Sequence, residues 1–78
     1  MASGVNSHTQ NDYTIAQGYA QTAIGKFNIA QGTVNNFTNT DYAFIIGNGI
    51  NETNRSNALA IKWDGTFVFA NGTEISPA

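Results

Sequence analysis

Apolar and polar positions recur at intervals of seven between Tyr13 and Thr33. The stretch reads as three heptads in register: Tyr13-Thr14-Ile15-Ala16-Gln17-Gly18-Tyr19, Ala20-Gln21-Thr22-Ala23-Ile24-Gly25-Lys26 and Phe27-Asn28-Ile29-Ala30-Gln31-Gly32-Thr33. Ala16, Ala23 and Ala30 align, and so do Gly18, Gly25 and Gly32. A seven-residue apolar period also suits a helical coiled coil. The glycines argue against one, because each costs a helix interior about 1 kcal/mol relative to alanine. The pattern therefore predicts short strands, each ended by a glycine that turns a corner. Two heptads make one fourteen-residue coil, and successive coils would lie about 4.8 Å apart, the spacing of paired strands. The alanines are expected to point inward, followed by Ala20, Phe27 and Val34. Ile15, Thr22 and Ile29 must then face the other way.

Beyond the repeat, Val34 to Asp41 breaks the heptad. Gly32 and Gly47 are fifteen residues apart, two heptads plus one, so a bulge or longer corner is expected there. The register resumes in Tyr42-Ala43-Phe44-Ile45-Ile46-Gly47, the most apolar stretch, expected to be buried on both faces. Ile50 to Asn57 reads as a polar loop. Ala58 to Trp63 alternates, and Asp64-Gly65 is a two-residue hairpin signal that would pair Ile61 with Val68 and Leu59 with Ala70. Both faces of this hairpin carry large apolar groups. Residues 1–12 read as a flexible lead-in, 13–49 as the repeat, and 50–78 as a loop and hairpin cap, one domain in all.

The runs Ile15-Ala16-Gln17-Gly18, Ala23-Ile24-Gly25 and Ile29-Ala30-Gln31-Gly32 resemble the head repeats of trimeric autotransporter adhesins. The later series Ala43-Phe44-Ile45-Ile46-Gly47-Asn48-Gly49 and Arg55-Ser56-Asn57-Ala58-Leu59-Ala60-Ile61-Lys62-Trp63-Asp64-Gly65 is similar to a segment of phage tail fibres and tail-associated proteins. The resemblance covers Tyr13 to Gly72 and implies an all-β chain: short β-roll or β-solenoid repeats and a β-hairpin cap, wound into an intertwined homotrimer. It implies a structural module of a virion tail, with a bacterial cell-surface adhesin head as the alternative. Host carbohydrate or protein is the implied external partner. Thr22 departs from the isoleucine of the other copies, and only about one and a half coils are visible.

Composition changes the picture in one respect. A chain of 78 residues buries only about 60% of its unfolded surface, so a lone subunit is marginal. It has no cysteine to staple it. Charged residues are 10%, against about 25% in ordinary soluble domains, while hydrophobic residues are 41%. Self-association is the remaining common remedy. The expected packing residues are Phe27, Phe44, Ile46, Leu59, Ile61, Trp63, Phe67 and Phe69. The expected corners are Gly18, Gly25, Gly32 and Gly47, and the expected hairpin turn is Asp64 with Gly65. With three cations and a net charge of -2, the chain has no footprint for nucleic acid. No apolar run approaches the roughly 20 residues of a membrane span, and no signal peptide is visible at Met1-Ala2-Ser3-Gly4. That start and the end at Ile75-Ser76-Pro77-Ala78 read as those of a fragment.

The sequence offers little chemistry. Ser7, His8 and Asp12 form a triad by residue type only, crowded into the lead-in. His8, the single histidine, would need a His-x-His pattern to form a metal ring on a three-fold axis. Asp41 and Asp64 read as turn residues, beside Glu52 and Glu74. Ser56 and Asn57 are the nearest suspects for self-cleavage, as found in some tail proteins, but Arg55-Ser56-Asn57 reads more simply as a hydrogen-bonded loop. Gly47-Asn48-Gly49 lacks the rest of a phosphate loop. The four Asn-x-Ser/Thr matches are coincidental in so asparagine-rich a chain. A left-handed β-helix acyltransferase would repeat every six residues, not seven. No enzyme activity and no cofactor are expected. Tyr13, Tyr19 and Tyr42 are candidates for stacking on sugars.

Overall fold

The computed structural model describes residues 1–77. Among them the chain is all-β, with no helix. Six strands, β1 (His8–Thr9), β2 (Thr22–Lys26), β3 (Tyr42–Asn48), β4 (Asn57–Lys62), β5 (Phe67–Phe69) and β6 (Glu74–Ile75), form one sheet in sequence order. The first three pair in parallel and the last four antiparallel.

The parallel part keeps a fourteen-residue offset. His8 lies beside Thr22 and Thr9 beside Ala23. Ala2 pairs with Ala16 and Asp12 with Lys26 at the same offset. Residues 1–12, expected as a flexible lead-in, therefore pair with the repeat at the same fourteen-residue offset. Thr9 stands where the later pass has Ala23, and Asn11 stands where it has Gly25. Asn11 has φ 83° and Gly25 has φ 95°, so the asparagine takes the left-handed conformation that glycine supplies a pass later. Asparagine is one of the few other residues that accepts it. The same offset joins Asn6 to Ala20 and Tyr13 to Phe27, all at positive φ.

The space enclosed by these passes is lined differently from expectation. Ala16 and Ala23 are fully buried, and Ala30 is half-buried. Ala20, Phe27 and Val34 do not follow them inward; Val34 is exposed. The second heptad position does so instead: Thr14, Gln21 and Asn28 are all buried. Buried polar groups persist only when hydrogen-bonded. Gln21 accepts from Gly18 N at 3.3 Å and donates to the carbonyls of Gln31 and Tyr42, both at 2.8 Å. Asn28 accepts from Ile15 N at 2.7 Å and donates to the Ile15 carbonyl at 2.8 Å. These amides satisfy backbone groups at corners where the strand ladder is interrupted.

Between β2 and β3 the offset rises to twenty-two, since Thr22 pairs with Phe44 and Gly25 with Gly47. The interruption is thus a long excursion, not a one-residue bulge. Side chains close it: Asp41 Oδ2 accepts from Thr33 N at 2.7 Å and Gln31 Oε1 from Tyr42 N at 2.9 Å. In β3 only Ile45 and Gly47 are buried. Phe44 and Ile46, on the opposite side from Ile45, are half-buried, so the strand is not covered on both faces.

The hairpin after β4 differs from expectation by one residue. Leu59 pairs with Phe69, Ala60 with Val68 and Ile61 with Phe67. Lys62 N donates to the Thr66 carbonyl at 2.9 Å, which leaves three residues in the loop. Gly65 at φ 91° takes the left-handed third position usual in such loops. A one-residue shift moves a strand's side chains to the other face. Val68 therefore joins Ala60 on the core side, and Phe67 and Phe69 join Ile61 and Leu59 on the far side. A second turn at Asn71-Gly72 leads into β6.

Candidate functional site: the uncovered sheet face

Strand pairing assigns the side chains of the sheet to two faces. The core face runs through Thr9, Ala23, Ile45, Ala60, Val68 and Glu74. Its fully enclosed apolar members are small, apart from Ile45. The hydrophobic core as a whole is Ala16, Ala23, Ile45 and Ala60, with Tyr42 and Val68 packed against it. Lys62 and Glu74 form a 3.2 Å ion pair beside this face. Both are partly solvated, so it is worth at most about 1 kcal/mol.

The opposite face carries two rows. One runs Thr22, Phe44, Ile61, Phe67 and Ile75 across β2 to β6. The other runs Ile24, Ile46, Leu59 and Phe69 across β2 to β5. From β2 to β6 neither row contains a charged residue; His8 continues the first row into β1, and Lys26, paired with Asn48, stands at the end of the face. All nine side chains are half-buried or exposed, with Phe67 42%, Phe69 38% and Ile75 57% exposed. Total accessible surface is 4434 Å², close to the roughly 4,600 Å² expected for a compact monomer of this mass. The amount of surface is ordinary; the concentration of large apolar groups on one side is not.

The expected packing residues divide accordingly. Phe44, Ile46, Leu59, Ile61, Phe67 and Phe69 come together on this face. Trp63 lies in the hairpin turn, 36% exposed, with its ring 5.5 Å from that of Phe37. Phe27 leaves the group altogether and stacks on Tyr13. None of the eight is fully buried within the single chain. Of the expected corners, Gly18 and Gly47 are buried, and Gly25 and Gly32 have positive φ. A Cβ on Gly25 would lie 2.3 Å from the Gly47 carbonyl oxygen, which fixes glycine there. At the turn, Asp64 Oδ1 accepts from Thr66 N at 3.0 Å. That hydrogen bond, helped by the Thr66 side chain and Lys62, holds the Asp64 carboxyl below its ordinary 3.8.

Sequence reasoning missed the buried polar column. Its signal was present, since Thr14, Gln21 and Asn28 align as strictly as the alanines do. The expected hydrogen-bonded loop at Arg55-Ser56-Asn57 is present, and its partners lie in the repeat. Arg55 Nη1 donates to the Tyr13 and Asn28 carbonyls at 3.2 and 3.1 Å, and Asn57 Oδ1 accepts from Ile29 N at 2.8 Å. Ser56 N donates to the Phe27 carbonyl at 3.0 Å. Among the described residues no three His, Asp or Glu side chains are grouped to hold a metal ion. Comparison of the chain with known protein families, characterised proteins and solved structures gives no match.

Proposed function

We propose that this chain is a structural assembly module: three copies bury their apolar sheet faces against one another and hold longer chains in register. The observation that carries this reading is the pair of uncharged rows, with eight large apolar side chains on the side away from the core. The core itself holds three alanines and one isoleucine. Burying one large apolar side chain contributes about 1.5–3 kcal/mol. Leaving eight half-covered forgoes more than the enclosed core can supply. A copy of the same chain is the natural cover, because it presents the same apolar surface and closed symmetry makes the contact finite.

The finer reading is a β-roll segment with a hairpin cap, from a phage tail fibre or tail-associated protein. It rests on the resemblance of the alanine–glycine heptads and of the Gly47-Asn48-Gly49 to Trp63-Asp64-Gly65 series. The fourteen-residue parallel offset supports the roll part of it. Three is the copy number of that class. Sedimentation equilibrium tests the proposal: the expected mass is that of three chains of 8.3 kDa each. A well-folded species with the mass of one chain overturns it.

A further inference from the structure

Tyr13 and Phe27, one fourteen-residue pass apart, stack with ring centroids 5.1 Å apart and planes 7° from parallel. The Arg55 guanidinium lies over the Phe27 ring, 5.5 Å from its centroid. The same guanidinium is tied to two backbone carbonyls. The column therefore has a closed end at Arg55 and an open end at Tyr13, which is 64% exposed. Both aromatics sit in left-handed backbone, at φ 51° and 43°. That conformation costs a non-glycine residue about 1–2 kcal/mol. The same conformation recurs at Asn6 and Ala20, so it belongs to the corner that sets one ring above the other, and Tyr13, the outer residue, is left exposed.

Beside the column is an open cleft of about 540 Å³, lined by Tyr13, Phe27, Asn51, Glu52 and Thr53. The polar wall is built, not loose. Asn51 Oδ1 accepts from Thr53 N, Thr53 Oγ1, Asn54 N and Asn54 Nδ2 at 2.9–3.1 Å. Ile50 N closes the loop on the Asn54 carbonyl at 3.0 Å. Glu52 makes no hydrogen bond or ion pair among the described residues.

We propose that this cleft binds a neutral sugar. A pyranose ring presents a C–H face that packs on an aromatic ring and a rim of hydroxyls that donate to a carboxylate. Tyr13 supplies the first surface through its open face, with Phe27 stacked behind it, and Glu52, flanked by Asn51 and Thr53, the second. The Glu52 charge and the net charge of -2 disfavour phosphorylated or acidic sugars. Arg55 does not reverse this preference, because its charge is engaged by the carbonyls and the Phe27 ring. All the groups come from one chain, so the site stands apart from the assembly reading.

The test is a binding titration of the full chain, followed by NMR. The probes are a panel of neutral oligosaccharides ending in galactose, glucose, mannose or N-acetylglucosamine, with sialylated oligosaccharides and choline as contrasts. A neutral member is expected to shift the Tyr13 and Phe27 ring signals. Tyr13→Asn keeps a residue tolerant of the left-handed backbone and removes the ring, and should weaken binding about tenfold. Glu52→Gln should weaken it several-fold with the fold unchanged. No binding at millimolar sugar overturns the proposal. So does binding that both variants leave intact, or binding confined to choline or to sialylated probes. A sample that sediments as one chain yet binds sugar through Tyr13 would refute the assembly reading and leave this one standing.

Discussion

The two faces of the sheet are built in opposite senses. Where the sheet is closed over by the rest of the chain, its central row is Thr9, Ala23, Ile45, Ala60 and Val68. Where it is bare, the rows hold Phe44, Ile61, Phe67 and Ile75, and Ile24, Ile46, Leu59 and Phe69. An isolated domain normally places its largest apolar groups in the closed layer, since stability grows with the apolar area removed from water. Here the closed layer is narrow enough to admit mainly alanine, and polar amides fill its corners. The subunit has given its internal space to backbone packing and its apolar mass to the outside.

This contrast sets the expected hierarchy of damage. The largest effect belongs to the bare face: Leu59→Asp places a charge at the centre of the apolar rows. Loss of assembly is expected, read as a shift to single-chain mass and the disappearance of cooperative melting. An unchanged mass and melting curve would show that this face is not covered. Next is Ile45→Ala, which hollows out the one large core residue and should cost about 2–5 kcal/mol in denaturant unfolding. A cost well under that range would mean the closed layer contributes little. Gln21→Leu is expected to be smaller. It removes the donor to the Gln31 and Tyr42 carbonyls and the acceptor for Gly18 N, and a buried group left unpaired costs about 1–3 kcal/mol.

The smallest effect concerns the hairpin turn. Asp64 is held below its ordinary 3.8 by its hydrogen bonds to Thr66. A carboxyl depressed in the folded state binds its proton more readily when unfolded. Its contribution is therefore complete above pH 3.8 and is lost as the pH falls through the depressed value. Asp64→Asn should therefore lower the melting temperature slightly at neutral pH, match the parent chain at pH values below the depressed one, and so flatten the acid limb of the melting-temperature profile. An unchanged acid limb would mean that the turn does not use the charge.

The sequence made one class of feature visible and concealed another. The glycine positions were legible because Gly18, Gly25 and Gly32 align, but of the three expected strands only the middle one forms, β2, and it contains Gly25 instead of ending there. The pairing of residues 1–12 with the repeat was concealed because Thr9 and Asn11 perform the tasks of alanine and glycine under other names. The hairpin register escaped because Asp64-Gly65 suits both a two-residue and a three-residue loop. The choice fell to the Asp64–Thr66 hydrogen bond and to the burial of Val68 against Ala60. The bare face was legible only in outline: alternation showed large groups on both sides of the hairpin, and the shifted register gathered them onto one.

Chain pairing is tested most directly by accessibility. The chain has no cysteine, so single Phe69→Cys and Asn35→Cys variants report their own surroundings. Both positions are exposed in one subunit. If copies cover the apolar face, a thiol reagent labels the Asn35→Cys protein quickly and the native Phe69→Cys protein only after denaturation. Equal labelling rates in native buffer, with the fold intact, would contradict the account.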